Sequence, residues 1–166
     1  MDPEDFPLFE RLNDTQRKGF IKACKRRTFE PEHVIIKEAT SGDRMFMLID
    51  GTVDVFLEME GEERIVAQIA APAVLGEMEL LTGQPRTASV RTVGAVEMLE
   101  ISFEDFQHRL DDGDPAALKI MHGVARQLAQ RLQLATRKLG DLQGNNSAPV
   151  AELHVLKAKL FSEWSF

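Results

Sequence analysis

The stretch Leu75-Gly76-Glu77-Met78-Glu79-Leu80-Leu81-Thr82-Gly83-Gln84-Pro85-Arg86-Thr87-Ala88-Ser89-Val90 carries the densest chemical signal in the chain. Gly76 permits a tight or positive-φ turn just before a short helical run, Glu77 to Leu81. The free N–H groups at the first turn of such a run attract anions. Thr82-Gly83-Gln84-Pro85 reverses the chain, and Arg86 then opens a strand with its guanidinium directed back toward the turn. Arginine suits phosphate because its planar fork donates two parallel bonds. Glu77 cannot favour a phosphate, but its carboxylate can accept a hydrogen bond from a sugar hydroxyl. An anion site beside a hydroxyl acceptor is the combination that a nucleotide requires.

Working outward, the texture from Val34 to Ile101 is one of short apolar or β-branched runs broken by turn signals. Val34-Ile35-Ile36 precedes Ser41-Gly42-Asp43, and Met45 to Ile49 ends at Asp50-Gly51, a hairpin signal. Thr52 to Leu57 alternates, Glu60-Gly61 is another turn, and Arg64 to Ile69 follows. Thr87 to Thr92 and Ala95 to Ile101 flank Gly94. Many short strands at this spacing predict an antiparallel sandwich or barrel of jelly-roll type.

Helices flank this region. Asn13 or Asp14 caps a helix predicted to reach about Arg27, with Phe20, Ile21 and Cys24 on one side. Lys22, Lys25, Arg26 and Arg27 fall in its last turns and read as a solvated helix end, where cations suit the dipole. Cys24 reads as a small buried hydrophobe. Ser102 is an N-cap, with Asp105 three positions on. Asp114-Pro115 starts a longer helix, predicted to run to about Leu139 and stop at Gly140. Leu118, Met121, Ala125, Leu128, Leu132, Ala135 and Leu139 form a heptad seam along it, which points to self-association, while Ile120 and Val124 widen the stripe toward the barrel. The expected division is a helical segment 1–32, a β region 33–101 containing 75–90, C-terminal helices 102–139, and a linker with a short amphipathic tail 140–166.

Composition narrows the function classes. The 166 residues are 43% hydrophobic and 28% charged, enough for a core and against disorder. One cysteine argues against a disulfide scaffold and suits a reducing cytoplasm. A net charge of -7 disfavours nucleic acid and membrane surfaces as partners. The acidic start, Met1-Asp2-Pro3-Glu4-Asp5, lacks the pattern of a secretory signal, and no apolar run approaches a membrane span. His33, His108, His122 and His154 are scattered, so no metal cluster is expected. No nucleophile-base arrangement is readable, and enzyme activity is not expected. Only 27 residues follow Leu139, too few for a helix-turn-helix reader and its support, so DNA binding is not expected.

The 75–90 segment resembles the phosphate-binding cassette of the cyclic-nucleotide-binding domain family. Gly76, Glu77, Leu80, Leu81, Pro85, Arg86, Ala88, Ser89 and Val90 fall at matching spacing, and Gly42 to Val53 looks like the family's earlier hairpin. The similarity covers about residues 8–139. It implies a mainly β fold, the β-roll or double-stranded β-helix, with flanking helices. It further implies a receptor for cAMP or cGMP that needs no cofactor and signals by moving the helices after the β-roll. Gly76, Glu77, Glu79, Leu80, Arg86, Thr87 and Ala88 are the implied ligand-binding residues. Arg86 would pair with the cyclic phosphate and Glu77 would accept from the ribose 2′-hydroxyl. Gly76 and the amides of Glu79 and Leu80 would line the phosphate, and Thr87 would sit near phosphate and base without deciding between cAMP and cGMP. Implied partners are a second copy through residues 118–139 or a protein effector.

Two positions depart from the family pattern. Glu79 stands where relatives carry Ala or Ser, and its side chain is expected to point outward, complementing the helix dipole. Ala39 stands where many relatives have Gly. A β-roll without ligand, acting as a protein-interaction module, remains the alternative; Glu79 favours it, and intact Glu77 and Arg86 oppose it.

Overall fold

The computed structural model describes residues 1–144. Its centre is a pair of four-stranded antiparallel sheets built from β1 (Lys25–Phe29), β2 (Val34–Ile36), β3 (Arg44–Asp50), β4 (Thr52–Met59), β5 (Glu62–Ala70), β6 (Ala73–Leu75), β7 (Ser89–Thr92) and β8 (Val96–Ser102). One sheet has the order β1-β8-β3-β6 and the other β2-β7-β4-β5. The helices are α1 (Asp14–Ala23), α2 (Glu77–Thr82), α3 (Phe103–Asp111) and α4 (Pro115–Gly144). Two short 3-10 turns, Pro3–Asp5 and Pro7–Phe9, precede α1.

The apolar run of β3 explains the layering. Successive strand residues point to opposite faces. Phe46 and Leu48 face the second sheet with Val53, Val55, Ile69 and Val90, while Met45, Met47 and Ile49 face a helical layer containing Phe9, Phe20, Phe106, Ile120 and Val124. A strand buried on both faces reads as a continuous apolar run. In β4 the pattern alternates at first, with Val53 and Val55 buried and Asp54 half-buried between them, and breaks at the Val55/Phe56 bulge, where Phe56 is buried under Arg91.

The expected hairpin at Asp50-Gly51 is instead a corner. β3 pairs with β6 and β8, whereas β4 pairs with β5 and β7, so this turn hands the chain from one sheet to the other. Gly51 has φ 94°, and a Cβ there would lie 2.7 Å from a methyl of Val96. Glu60-Gly61 does close a hairpin, with Met59 opposite Glu62 and both turn residues at positive φ, as a two-residue primed turn needs.

The helical reading of residues 24–27 is corrected. Helix α1 keeps its Asn13-Gln16 capping box but ends at Ala23, and Cys24 is already extended. Lys25, Arg26 and Arg27 belong to β1, an edge strand paired with β8, where Arg26 meets Glu97 and Arg27 meets Glu100. Their charge answers two glutamates distant in sequence rather than a helix dipole. The Cys24 thiol donates to the Phe20 carbonyl at 3.4 Å, and burial pushes its pKa up to about 12.

The N-caps of the two C-terminal helices follow expectation. The Ser102 hydroxyl accepts from the Asp105 amide at 3.0 Å, and Asp114 Oδ1 accepts from the Ala116 amide at 2.9 Å. Helix α4, however, passes Gly140 and continues to Gly144. It lays Ala116, Ala117, Ile120, Val124, Gln127 and Arg131 against the body of the protein. Among the described residues the heptad seam is divided: Leu118 and Leu132 are 51% and 68% exposed, while Met121 and Leu128 touch the core. The side chains of Ala135 and Leu139 and the tail from Val150 lie outside the described residues.

Candidate functional site

Arg86 is the fixed point of the site. It sits in the loop before β7 rather than opening the strand, and its backbone is locked to the turn after β2. The Ala39 amide donates to the Arg86 carbonyl and the Arg86 amide donates to the Thr40 carbonyl, both at 2.9 Å. The guanidinium then runs inward. Nη1 donates to the Gly76 carbonyl at 3.1 Å and Nη2 to the Arg44 carbonyl at 2.7 Å. Its carbon lies 5.5 Å from the Phe103 ring centre, within cation-π range. Gly42 and Gly76 make the space: a Cβ on either would approach an Arg86 nitrogen to about 2.1 or 2.2 Å. Gly76 has φ 82°, the turn conformation expected before α2. Burial lowers the Arg86 pKa, and the charges of Glu79 and Glu77 partly restore it.

The outward pose expected for Glu79 does not occur. Its carboxylate turns inward and lies 2.7 Å from Arg86 Nε, and the Gly42 amide donates to Oε1 at 2.6 Å. The two side chains are only 7% and 8% exposed. The attraction of a buried guanidinium outweighs the weak preference of a carboxylate for the solvated face of a helix's first turn.

Glu77 is 2% exposed, and its Oε1 accepts from Arg131 Nη1 of α4 at 2.8 Å. Burial raises the Glu77 pKa above the ordinary carboxylate range, against the opposing pull of Arg131. Burial likewise lowers that of Arg131. The Glu77–Arg131 pair therefore ties the segment to the long helix.

Gly76, Glu77, Met78, Arg86, Thr87 and Ala88 line one face of a narrow cleft, with Ile36, Val55, Leu75 and Val90 behind them. Its volume is about 30 Å³, room for water rather than for a nucleotide in this arrangement. Thr87 is exposed, with its hydroxyl 3.9 Å from the Met78 sulfur, and Ala88 is buried. Leu80 packs on the helical core instead of lining the cleft. Sequence reasoning missed Arg131. The available signal was an arginine continuing the Ile120, Val124, Gln127 face of α4, since a charge on a buried helical face needs a partner. Among the described residues no cluster of His, Cys, Asp and Glu could hold a metal ion, and no helix is long and apolar enough to cross a membrane.

Comparison with known proteins agrees with this architecture. The family model for the cyclic nucleotide-binding domain matches residues 26–112. The cAMP-dependent protein kinase regulatory subunit of Mycosarcoma maydis is 29% identical over 93 residues, 56% of this chain and 18% of that protein. The cAMP-activated global transcriptional regulator Vfr of Pseudomonas aeruginosa is 32% identical over 124 residues, 72% of this chain and 56% of that protein. The chain thus spans little more than half, or less, of these relatives. A crystal structure of the N-terminal domain of a transcriptional regulator from Streptomyces coelicolor superposes with a TM-score of 0.64 at 25% identity, covering 89% of this chain and 99% of that one. With a match over more than half its length and the two-sheet fold to go with it, the chain belongs to the cyclic nucleotide-binding domain family.

Proposed function

We propose that this chain is a receptor module for a cyclic nucleotide, cAMP or cGMP, with no reaction of its own, acting in the cytoplasm. One observation carries the reading: a buried arginine is held in place by two backbone carbonyls at the edge of a cleft that a buried carboxylate also lines. Arg86 would meet the cyclic phosphate, and Glu77 the ribose 2′-hydroxyl. Gly76 and the amides of Glu79 and Leu80 would approach the phosphate, with Thr87 and Ala88 beside the phosphate and base. The ligand would act on α4 through Glu77, because Glu77 already holds Arg131. A ligand shifts the helix only by the difference in its affinity for the two arrangements. The exposed Leu118 and Leu132 make the seam available to a second copy or to a protein effector.

Calorimetric titration of the purified protein with cAMP and cGMP tests this. Saturable binding is expected, the stronger ligand assigns the base, and Arg86→Ala should weaken binding by about 2–5 kcal/mol. Equal affinity in that variant rejects the phosphate role. A second reading, a β-roll that keeps only protein contacts, is favoured by the Glu79 carboxylate on Arg86. It prevails if neither nucleotide binds the wild type or Glu79→Ala. The seam is tested by sedimentation: Leu132→Glu should convert a dimer to a monomer, and a wild-type monomer at high concentration ends that part of the proposal.

A further inference from the structure

We propose that Glu79 is an internal anion occupying the phosphate position of the cassette, so that a cyclic nucleotide binds only by displacing the Glu79 side chain from Arg86. This rests on the receptor reading of the site and specifies what limits it. A carboxylate and a cyclic phosphodiester each spread a single negative charge over two oxygens that can face a donor pair. Glu79 presents such a pair to two donors from loops far apart in sequence: its Oε1 accepts from the Gly42 amide at 2.6 Å, and its Oε2 lies 2.7 Å from Arg86 Nε.

Two features make the contact displaceable. Arg86 does not depend on Glu79 for its position, because both Nη atoms are anchored to the carbonyls of Gly76 and Arg44. The Glu79 contact is also imperfect. Oε2 is buried and ion-paired to Arg86, yet it accepts no aligned hydrogen bond. An incoming phosphate would find the guanidinium already placed, with Nε and the Gly42 amide released as donors. The closed arrangement is thus a competing state, and apparent affinity falls by the fraction of molecules held in it.

The test compares wild type, Glu79→Ala and Glu79→Gln, each checked for native circular dichroism. Glutamine keeps the acceptor for Gly42 and removes the charge. Titration with cAMP and cGMP is expected to show at least about tenfold tighter binding by both variants than by wild type. Equal or weaker binding by both variants leaves the receptor reading standing and overturns the role of Glu79. Thermal shift with inorganic phosphate, at ionic strength matched with chloride, separates the remaining cases. If no form binds a cyclic nucleotide but phosphate stabilises Glu79→Ala and not wild type, the masked anion position stands and the receptor reading falls. If no form binds a cyclic nucleotide and phosphate does not distinguish the variants from wild type, both fall.

Discussion

Glu77 and Glu79 stand two residues apart on the same short helix, and each ends on a buried arginine, yet they tie together different parts of the molecule. Glu77 reaches out of the cassette to Arg131 on α4, joining the β-roll to the long helix. Glu79 stays within the β-roll, pairing with Arg86 seven residues on and accepting from the Gly42 amide. The first contact links two elements that could move relative to each other. The second fills a position inside one element. A glutamate near the start of a helix carries no fixed meaning, and the location of its cation decides whether it couples elements or occupies a site.

The largest effect should come from cutting the link between elements. Glu77→Ala leaves Arg131 buried without its carboxylate, and removing one partner of such a pair costs about 3–5 kcal/mol. Glu79→Ala should cost less, about 1–2 kcal/mol, because Arg86 keeps two carbonyl acceptors and its ring contact. Urea unfolding of both variants measures the ratio, and a larger loss at Glu79 would invert the comparison. Glu77→Gln adds a pH signature. The folded-state pKa of Glu77 lies above its unfolded value, so the native state holds this proton more tightly than the unfolded chain does. The stability this confers is full below the ordinary carboxylate range and is lost as pH rises through the folded value. The glutamine variant should lack that slope, and an unchanged slope would assign it to other groups.

Local rules reached the two-sheet architecture because it rests on local signals. The run Met45 to Ile49, the alternation through Thr52 to Leu57 and the Glu60-Gly61 turn are all contained in short windows. Where partners lie far apart, local rules misled. Lys25 to Arg27 read as a helix end because Glu97 and Glu100, which pair with that strand, are some 70 residues away. Asp50-Gly51 has hairpin chemistry, but its neighbours have better partners in different sheets. The cassette was legible in Gly76, Glu77 and Arg86, which the structure gathers on one cleft. The orientation of Glu79 was not, since it depends on an amide 37 positions earlier in the chain.

The smallest effect concerns the turn that holds the Arg86 backbone. Ala39 adopts φ 58°, the left-handed region that glycine enters freely and a side chain enters at a cost of about 1–2 kcal/mol. Its amide nevertheless donates to the Arg86 carbonyl, so the strain is retained where the arginine of the Glu79 pair is anchored. Ala39→Gly relieves the strain but also loosens the unfolded chain, which offsets part of the gain. A net stabilisation of about 0.5–1 kcal/mol is expected, with the Glu79 contact unaltered. Urea unfolding of Ala39→Gly, alone and combined with Glu79→Ala, checks both points. The two substitutions should add, because relief of backbone strain at Ala39 leaves the side-chain pairing of Arg86 untouched. Failure to add would mean that the turn and the carboxylate hold the arginine jointly, and the Glu79 pair would then extend beyond the cassette as the Glu77 pair does.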